Sequence, residues 1–312
     1  MQTDAFYFVD LDVENDRTFL GLWRRVGQQM QPVLLNIPGH VPFLVEPGET
    51  LEASFIRAFS LSERKPTNAV IAQTILPPAK YYRSIARPVS NTYNTSFVSF
   101  SLPQRQMISN EISANQGHLR TLIDLLEKIL LIVHPEDRNL EVYGHEIRNL
   151  LILACTECET QWRSILRANN YRTSTQKKPR DLNTGDFVLL DPVMKLREYE
   201  VGFSRYPWLA AFRPFANWDK SSPTQSLPWY HHYNAGKHDR QANMRETTLG
   251  DAMTALAACW IMLIAQYGGP VMGDQDYART YFTLAKVPQW ARTESYVAHF
   301  EDGPWEAVDY PF

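Results

Sequence analysis

The stretch Leu249-Gly250-Asp251-Ala252-Met253-Thr254-Ala255-Leu256-Ala257-Ala258-Cys259-Trp260-Ile261-Met262-Leu263-Ile264-Ala265-Gln266-Tyr267 is the strongest helical signal in the chain. Leu249, Ala252, Met253, Leu256, Ala257, Trp260, Ile261 and Ile264 recur at the spacing of one helical face, and Gly268-Gly269-Pro270 stops the run. Small residues at Ala252, Ala257 and Ala258 suit the close approach of a partner helix. The length nears that of a membrane span, but Asp251, Thr254, Gln266 and the alanines make it too polar. A buried helix of a soluble protein is the expectation.

Two more stripes lie upstream. Leu119, Leu122, Ile123, Leu126, Ile129, Leu130 and Val133 predict one helix, ended by Pro135. Ile147, Leu150, Leu151, Ala154, Cys158, Trp162, Ile165 and Leu166 predict a second. Three or four antiparallel helices around one core would satisfy these faces. Between the second and third helices, Asp186–Leu190 and Leu196–Val201 read as paired strands turning at Asp191-Pro192, a β-hairpin insertion at about 183–205.

The first hundred residues are punctuated by Pro32, Pro38, Pro42, Pro47, Pro66, Pro77, Pro78 and Pro88. Short apolar runs between them (Phe6-Tyr7-Phe8-Val9, Val33-Leu34-Leu35, Val70-Ile71-Ala72) suit strands better than long helices. Helices fit around Arg17 to Met30 and Glu52 to Phe59. The expectation is a small strand-containing α+β unit over residues 1–100, then a mainly α domain over 101–312.

Composition narrows the classes. The chain has 312 residues, 44% hydrophobic, 21% charged and 12% aromatic, so it is globular and large enough for more than one unit. A net charge of −3 gives no general attraction to nucleic acid, and such a contact would need a local patch. Three cysteines make no disulfide framework, and the N-terminal residues show no basic, apolar leader, so a cytoplasmic location is expected. No phosphate-binding glycine loop, dinucleotide fingerprint or nucleophile elbow occurs.

The densest chemistry lies just before the strongest helix, in Trp229-Tyr230-His231-His232-Tyr233-Asn234-Ala235-Gly236-Lys237-His238-Asp239-Arg240. On a helix, Tyr233, Asn234, Lys237, His238, Arg240 and Gln241 fall within an arc of roughly 160°. An imidazole that passes protons near neutrality beside cations that stabilise a phosphoryl oxygen would suit phosphate or RNA chemistry. The structural alternative gives Asn234 a turn or cap, His238 a bond to another helix, and leaves Lys237 and Arg240 in solvent. Arg148, on the flank of its helix's apolar stripe, could supply a second guanidinium or form an ion pair. Arg163, Arg167, Arg172, Lys177, Lys178 and Arg180 form a basic stretch that could follow a polyanion or simply complement a helix end. Cys155-Thr156-Glu157-Cys158 has no second ligand pair, and His231-His232 no carboxylate at ligand spacing, so no metal or cofactor is implied.

Tyr143-Gly144-His145-Glu146-Ile147-Arg148-Asn149-Leu150-Leu151, Glu157, Glu159, Trp229-Tyr230 and the Tyr233-Asn234-x-x-Lys237-His238-x-Arg240 segment look like a widespread uncharacterised bacterial family. Residues 104 to 270 also resemble the HEPN superfamily of α-helical, often homodimeric domains. The resemblance implies a HEPN-like helical bundle that binds RNA or a nucleotide. Its catalytic version is a metal-independent ribonuclease of a defence or toxin system. Asn234 and His238 match the polar and histidine positions of the signature, whereas Tyr233 stands in the arginine's place. His238 would then act as acid or base, Arg148, Lys237 and Arg240 would stabilise the oxyanion, and Asn234 would orient. Tyr233, Arg163, Arg167, Lys177 and Lys178 would hold substrate. The competing expectation is a non-catalytic interaction module, with the cluster structural and residues 1–100 docking a partner protein.

Overall fold

The computed structural model describes residues 4–13, 16–33, 41–60, 65–87, 105–173, 181–238, 243–268, 277–297 and 305–312. The elements run β1 (Ala5–Val13), β2 (Asp16–Val26), β3 (Gln29–Pro32), β4 (Phe43–Leu44), α1 (Leu51–Phe59), β5 (Pro66–Gln73) and β6 (Lys80–Tyr82). There follow α2 (Arg105–Leu130), α3 (His145–Ala168), α4 (Thr184–Phe187), α5 (Leu190–Met194), β7 (Glu200–Phe203) and α6 (Pro228–His238). Last come α7 (Leu249–Tyr267), α8 (Tyr277–Tyr281), β8 (Phe282–Lys286) and β9 (Glu306–Val308). The chain forms two compact units. One holds the described residues up to Tyr81 and those of Trp290–Glu306; the other holds Tyr82–Arg87, those of Phe100–Gln289, and Ala307–Phe312.

In the first unit a curled antiparallel sheet, ordered β4-β3-β2-β1-β5, forms a half-barrel. A bulge causes part of the curl: Val9 pairs with Gly21 but Asp10 pairs with Phe19, so Leu20 is an extra residue on β2. Gly21 takes φ +112° there, a value that a side chain resists. The inserted residue also shifts the in–out alternation, so Leu20 and Trp23, three apart, both join the core beside Phe55 of α1. Trp23 meets Phe43 and Phe55 at ring-centroid distances of 5.5 and 5.1 Å, while Thr50 caps α1 by accepting the Ala53 amide at 3.2 Å. Phe8, Leu22 and Val297 form a separate cluster, with the Arg292 guanidinium 5.0 Å from the Phe8 ring centre. Arg292 Nη2 lies 2.5 Å from Asp10 Oδ2, and both side chains are nearly buried.

In the second unit α3 packs along α7, with α2 and α6 against them. Every residue of the stripes read on α3 and α7 is buried. The apolar window of α7 is 83% buried, as in the core helix of a soluble protein. Two of its polar side chains turn back on the helix backbone: Gln266 Nε2 donates to the Met262 carbonyl at 3.0 Å, and Thr254 Oγ1 to that of Gly250 at 2.6 Å, while the buried Trp260 Nε1 has no hydrogen-bond partner among the described residues.

A mainly α, HEPN-like helical bundle with a hairpin insertion is therefore not the fold; the chain is mixed α/β. Two local readings fail with it. Residues 186–190 are not a strand, because Asn183 and Asp186 form a reciprocal capping box that starts α4. Strand β7 pairs instead with the distant β8, Val201 opposite Leu284. The helix expected around Arg17 to Met30 is a hairpin, β2–β3, turning at Gly27 with φ +60°. The helix read over Glu52–Phe59 is present as α1.

Removing one partner of a nearly buried ion pair strands the other charge. Arg292→Ala should cost about 3 kcal/mol in urea unfolding, and an Asp10→Leu/Arg292→Met double variant should recover most of it. A neutral single variant would show that this pair does not anchor the sheet.

Candidate functional site

Helix α6 starts with Pro228 in its first turn, where a missing amide donor costs nothing. Trp229, Tyr230 and Tyr233 are buried, and Trp229 Nε1 donates to the Pro214 carbonyl at 2.9 Å. The rings of Trp229 and Tyr230 stand 6.3 and 5.6 Å from that of Trp162 on α3, so an aromatic cluster fixes the rotation of α6.

That rotation sets the polar contacts. From α3, Arg148 donates through Nη2 and Nε to the Gly236 carbonyl at 2.9 and 3.3 Å. Asn243 Nδ2 donates to the Ala235 carbonyl at 3.1 Å. Two carbonyls near the C-terminal end of α6, which lack acceptable partners within a helix, are thus met by side chains from elsewhere. Asn234 turns back along its own helix to the Tyr230 carbonyl, at 3.1 Å. Lys237 Nζ donates to Tyr233 Oη at 3.0 Å and stands 5.2 Å from that ring's centre. Tyr230 Oη donates to Glu159 Oε1 at 2.7 Å, and Arg163 Nη2 lies 3.7 Å from Glu159 Oε2.

The electrostatics follow from these contacts. Burial and the Glu159 carboxylate push the Tyr230 phenol up, so it stays a hydrogen-bond donor. The bond to Tyr233 holds the Lys237 ammonium above its usual range, so it remains a cation. Burial pushes the Cys155 thiol well up, so it is a poor nucleophile. On the other side of α6, His232 Nδ1 lies 2.8 Å from Asp251 Oδ2, which raises the imidazole pKa. Asp251 belongs to the capping box that starts α7 with Thr248.

Of the residues singled out in the sequence, the structure joins Arg148 to the last turn of α6, beside Asn234, Tyr233 and Lys237. Arg163 is tied to Glu159 farther along α3, and Arg167 is exposed near that helix's C-terminal end. His238 closes α6, but its side chain lies outside the described residues, as do Arg240, Lys177 and Lys178. Among the described residues no group of three or more His, Cys, Asp or Glu is placed to hold a metal. Glu159 and Asp251 were not singled out as site residues. Thr248-x-x-Asp251 carries a readable capping signature, whereas nothing in the spacing pairs Glu159 with Tyr230, 71 positions away.

No protein-family model matches the chain, and neither a curated protein nor a solved structure matches it significantly.

Gly236 packs tightly against the segment before α7: a Cβ there would lie 2.7 Å from Thr247 Cγ2. Gly236→Ala should therefore destabilise by about 1–2 kcal/mol in denaturant unfolding, the clash outweighing alanine's better helix propensity. The His232–Asp251 pair predicts a pH dependence. Its contribution is fully present below the unfolded histidine pKa of about 6.5 and is lost as pH rises through the higher folded value. Wild-type thermal stability should fall across that window relative to His232→Gln, and parallel profiles would refute the coupling.

Proposed function

We propose that the face where α3 meets the end of α6 binds the phosphate groups of RNA or of a nucleotide, in a cytoplasmic protein. The carrying observation is the arginine–carbonyl bond: the guanidinium edge of Arg148 is fixed on Gly236, with Lys237 on the next residue. A cation held by its Nε edge keeps its remaining N–H groups in a set direction, which lowers the ordering cost of gripping an anion. Lys237 is exposed and held over Tyr233, a second oriented charge. Three buried free thiols suit a reducing compartment. In the catalytic version His238 takes the proton of the ribose 2′-hydroxyl as that oxygen bonds to phosphorus, the P–O5′ bond breaks and the leaving 5′-oxygen receives the proton, leaving a 2′,3′-cyclic phosphate without metal.

A second reading, a non-catalytic interaction module, is favoured by other contacts. Asn234 is spent on the Tyr230 carbonyl, and Arg148 caps a backbone group, as residues that lock a helix junction do. Strand β5, at one end of the sheet order, contains no charged residue, so a partner strand could add along it.

Fluorescence anisotropy with a labelled single-stranded RNA and with a labelled ATP analogue separates the readings. Phosphate binding predicts that Lys237→Ala and Arg148→Gln weaken binding about tenfold each, about 1.4 kcal/mol, and that affinity falls steeply with salt. The junction reading predicts a lower melting temperature for Arg148→Gln with no change in affinity. Intact RNA after incubation in EDTA, or equal cleavage by His238→Ala, would end the catalytic version.

A further inference from the structure

A cleft of about 500 Å³ opens around α5 in the second unit, apart from the contacts that tie Arg148 to α6. This volume falls in the range of small-molecule sites. Val188, Leu189 and Pro192 supply an apolar wall, and Lys195, Arg197 and Lys220 bring cations to the rim. Two carboxylates, Asp191 and Glu198, also line it.

The carboxylates are engaged. Asp191 accepts from Arg197 twice, at 2.6 Å from Nε and at 3.1 Å from the backbone amide. Glu198 accepts the Gln289 amide at 3.4 Å. Arg197 is thereby anchored through Nε, and its half-exposed side chain lines the cleft. Lys220 is exposed and lines the same cleft. Lys195 takes φ +51° and ψ +43° at the end of α5, a left-handed conformation that glycine would adopt at less cost. Its ammonium nevertheless reaches the Gln289 carbonyl at 2.8 Å, which holds this third cation at the rim.

We propose that this cleft binds a small organic monoanion, a carboxylate carried on a compact apolar body. Arg197 and Lys220 take the carboxylate, and Val188, Leu189 and Pro192 cover the hydrocarbon. Three cations against two carboxylates leave one positive charge, which a monoanion matches, while a phosphate dianion would leave one negative charge in excess. The apolar wall excludes a bare inorganic ion as the best occupant.

The test is calorimetric titration of the full chain with benzoate, with neutral benzamide, and with inorganic phosphate. Benzoate should saturate with a dissociation constant of ~1 mM, as suits a probe of this size. Benzamide and phosphate should bind at least tenfold more weakly. Lys220→Gln, at an exposed position, should fold normally and weaken benzoate about fivefold. Lys195→Gly should keep the melting temperature or raise it, yet also weaken benzoate. Equal binding of benzoate and benzamide, tighter binding of phosphate, no saturation by ~20 mM, or unchanged affinity in Lys220→Gln would each overturn the proposal.

Discussion

The close approach of α3 to α7 decides where everything else in the second unit can go. Cys158 and Cys259 bring their sulfurs within 3.5 Å, and Cys259 Sγ reaches the Ala154 carbonyl at 3.2 Å. Backbones come this near only where side chains are small, and Ala154, Ala255 and Ala258, all fully buried, supply that condition. A larger residue at any of them would push the helices apart. Arg148, at the start of α3, could not then reach Gly236, nor Tyr230 reach Glu159. The polar face is thus a consequence of apolar packing.

The first unit solves a different problem. A sheet must curl to enclose a core, and here one inserted residue opposite Val9 and Asp10 bends β2 while redirecting Leu20 inward. Trp23 then fills the concave side against Phe43 and Phe55, and the Asp10–Arg292 pair occupies a nearly dry position. Such a pair adds little net stability over apolar residues of similar volume, but it penalises arrangements that part the two charges.

Long amphipathic helices were legible in the sequence. The stripes on α3 and α7 repeat often enough to average over exceptions, and their residues are buried as their spacing requires. Short elements were not. Asp186-Phe187-Val188-Leu189-Leu190 has strand-like composition, yet Asn183 just before it carries the capping signal that makes it helical. Arg17 to Met30 has enough apolar residues for a helix, and two glycines at positive φ turn it into strands. The polar segment at the end of α6 was visible as a cluster, but its partners on α3 lie far off in sequence. Lys195, Arg197 and Lys220 gave no signal, because ordinary surface composition conceals a cleft.

The cap on α6 also bears on how the chain reaches its native state. The guanidinium that satisfies Gly236 comes from 88 positions upstream, and the helix it serves is 11 residues long. A segment that short is marginal alone, since nucleating a helix costs more than a few turns return. Asn243 meets the Ala235 carbonyl from nearby, but the Gly236 carbonyl is met by Arg148, so that part of the cap forms only when α3 is in place, and closing the long loop precedes the reward. In the emerging polypeptide α3 leaves the ribosome first, so the guanidinium that completes α6 is already present when this aromatic segment appears.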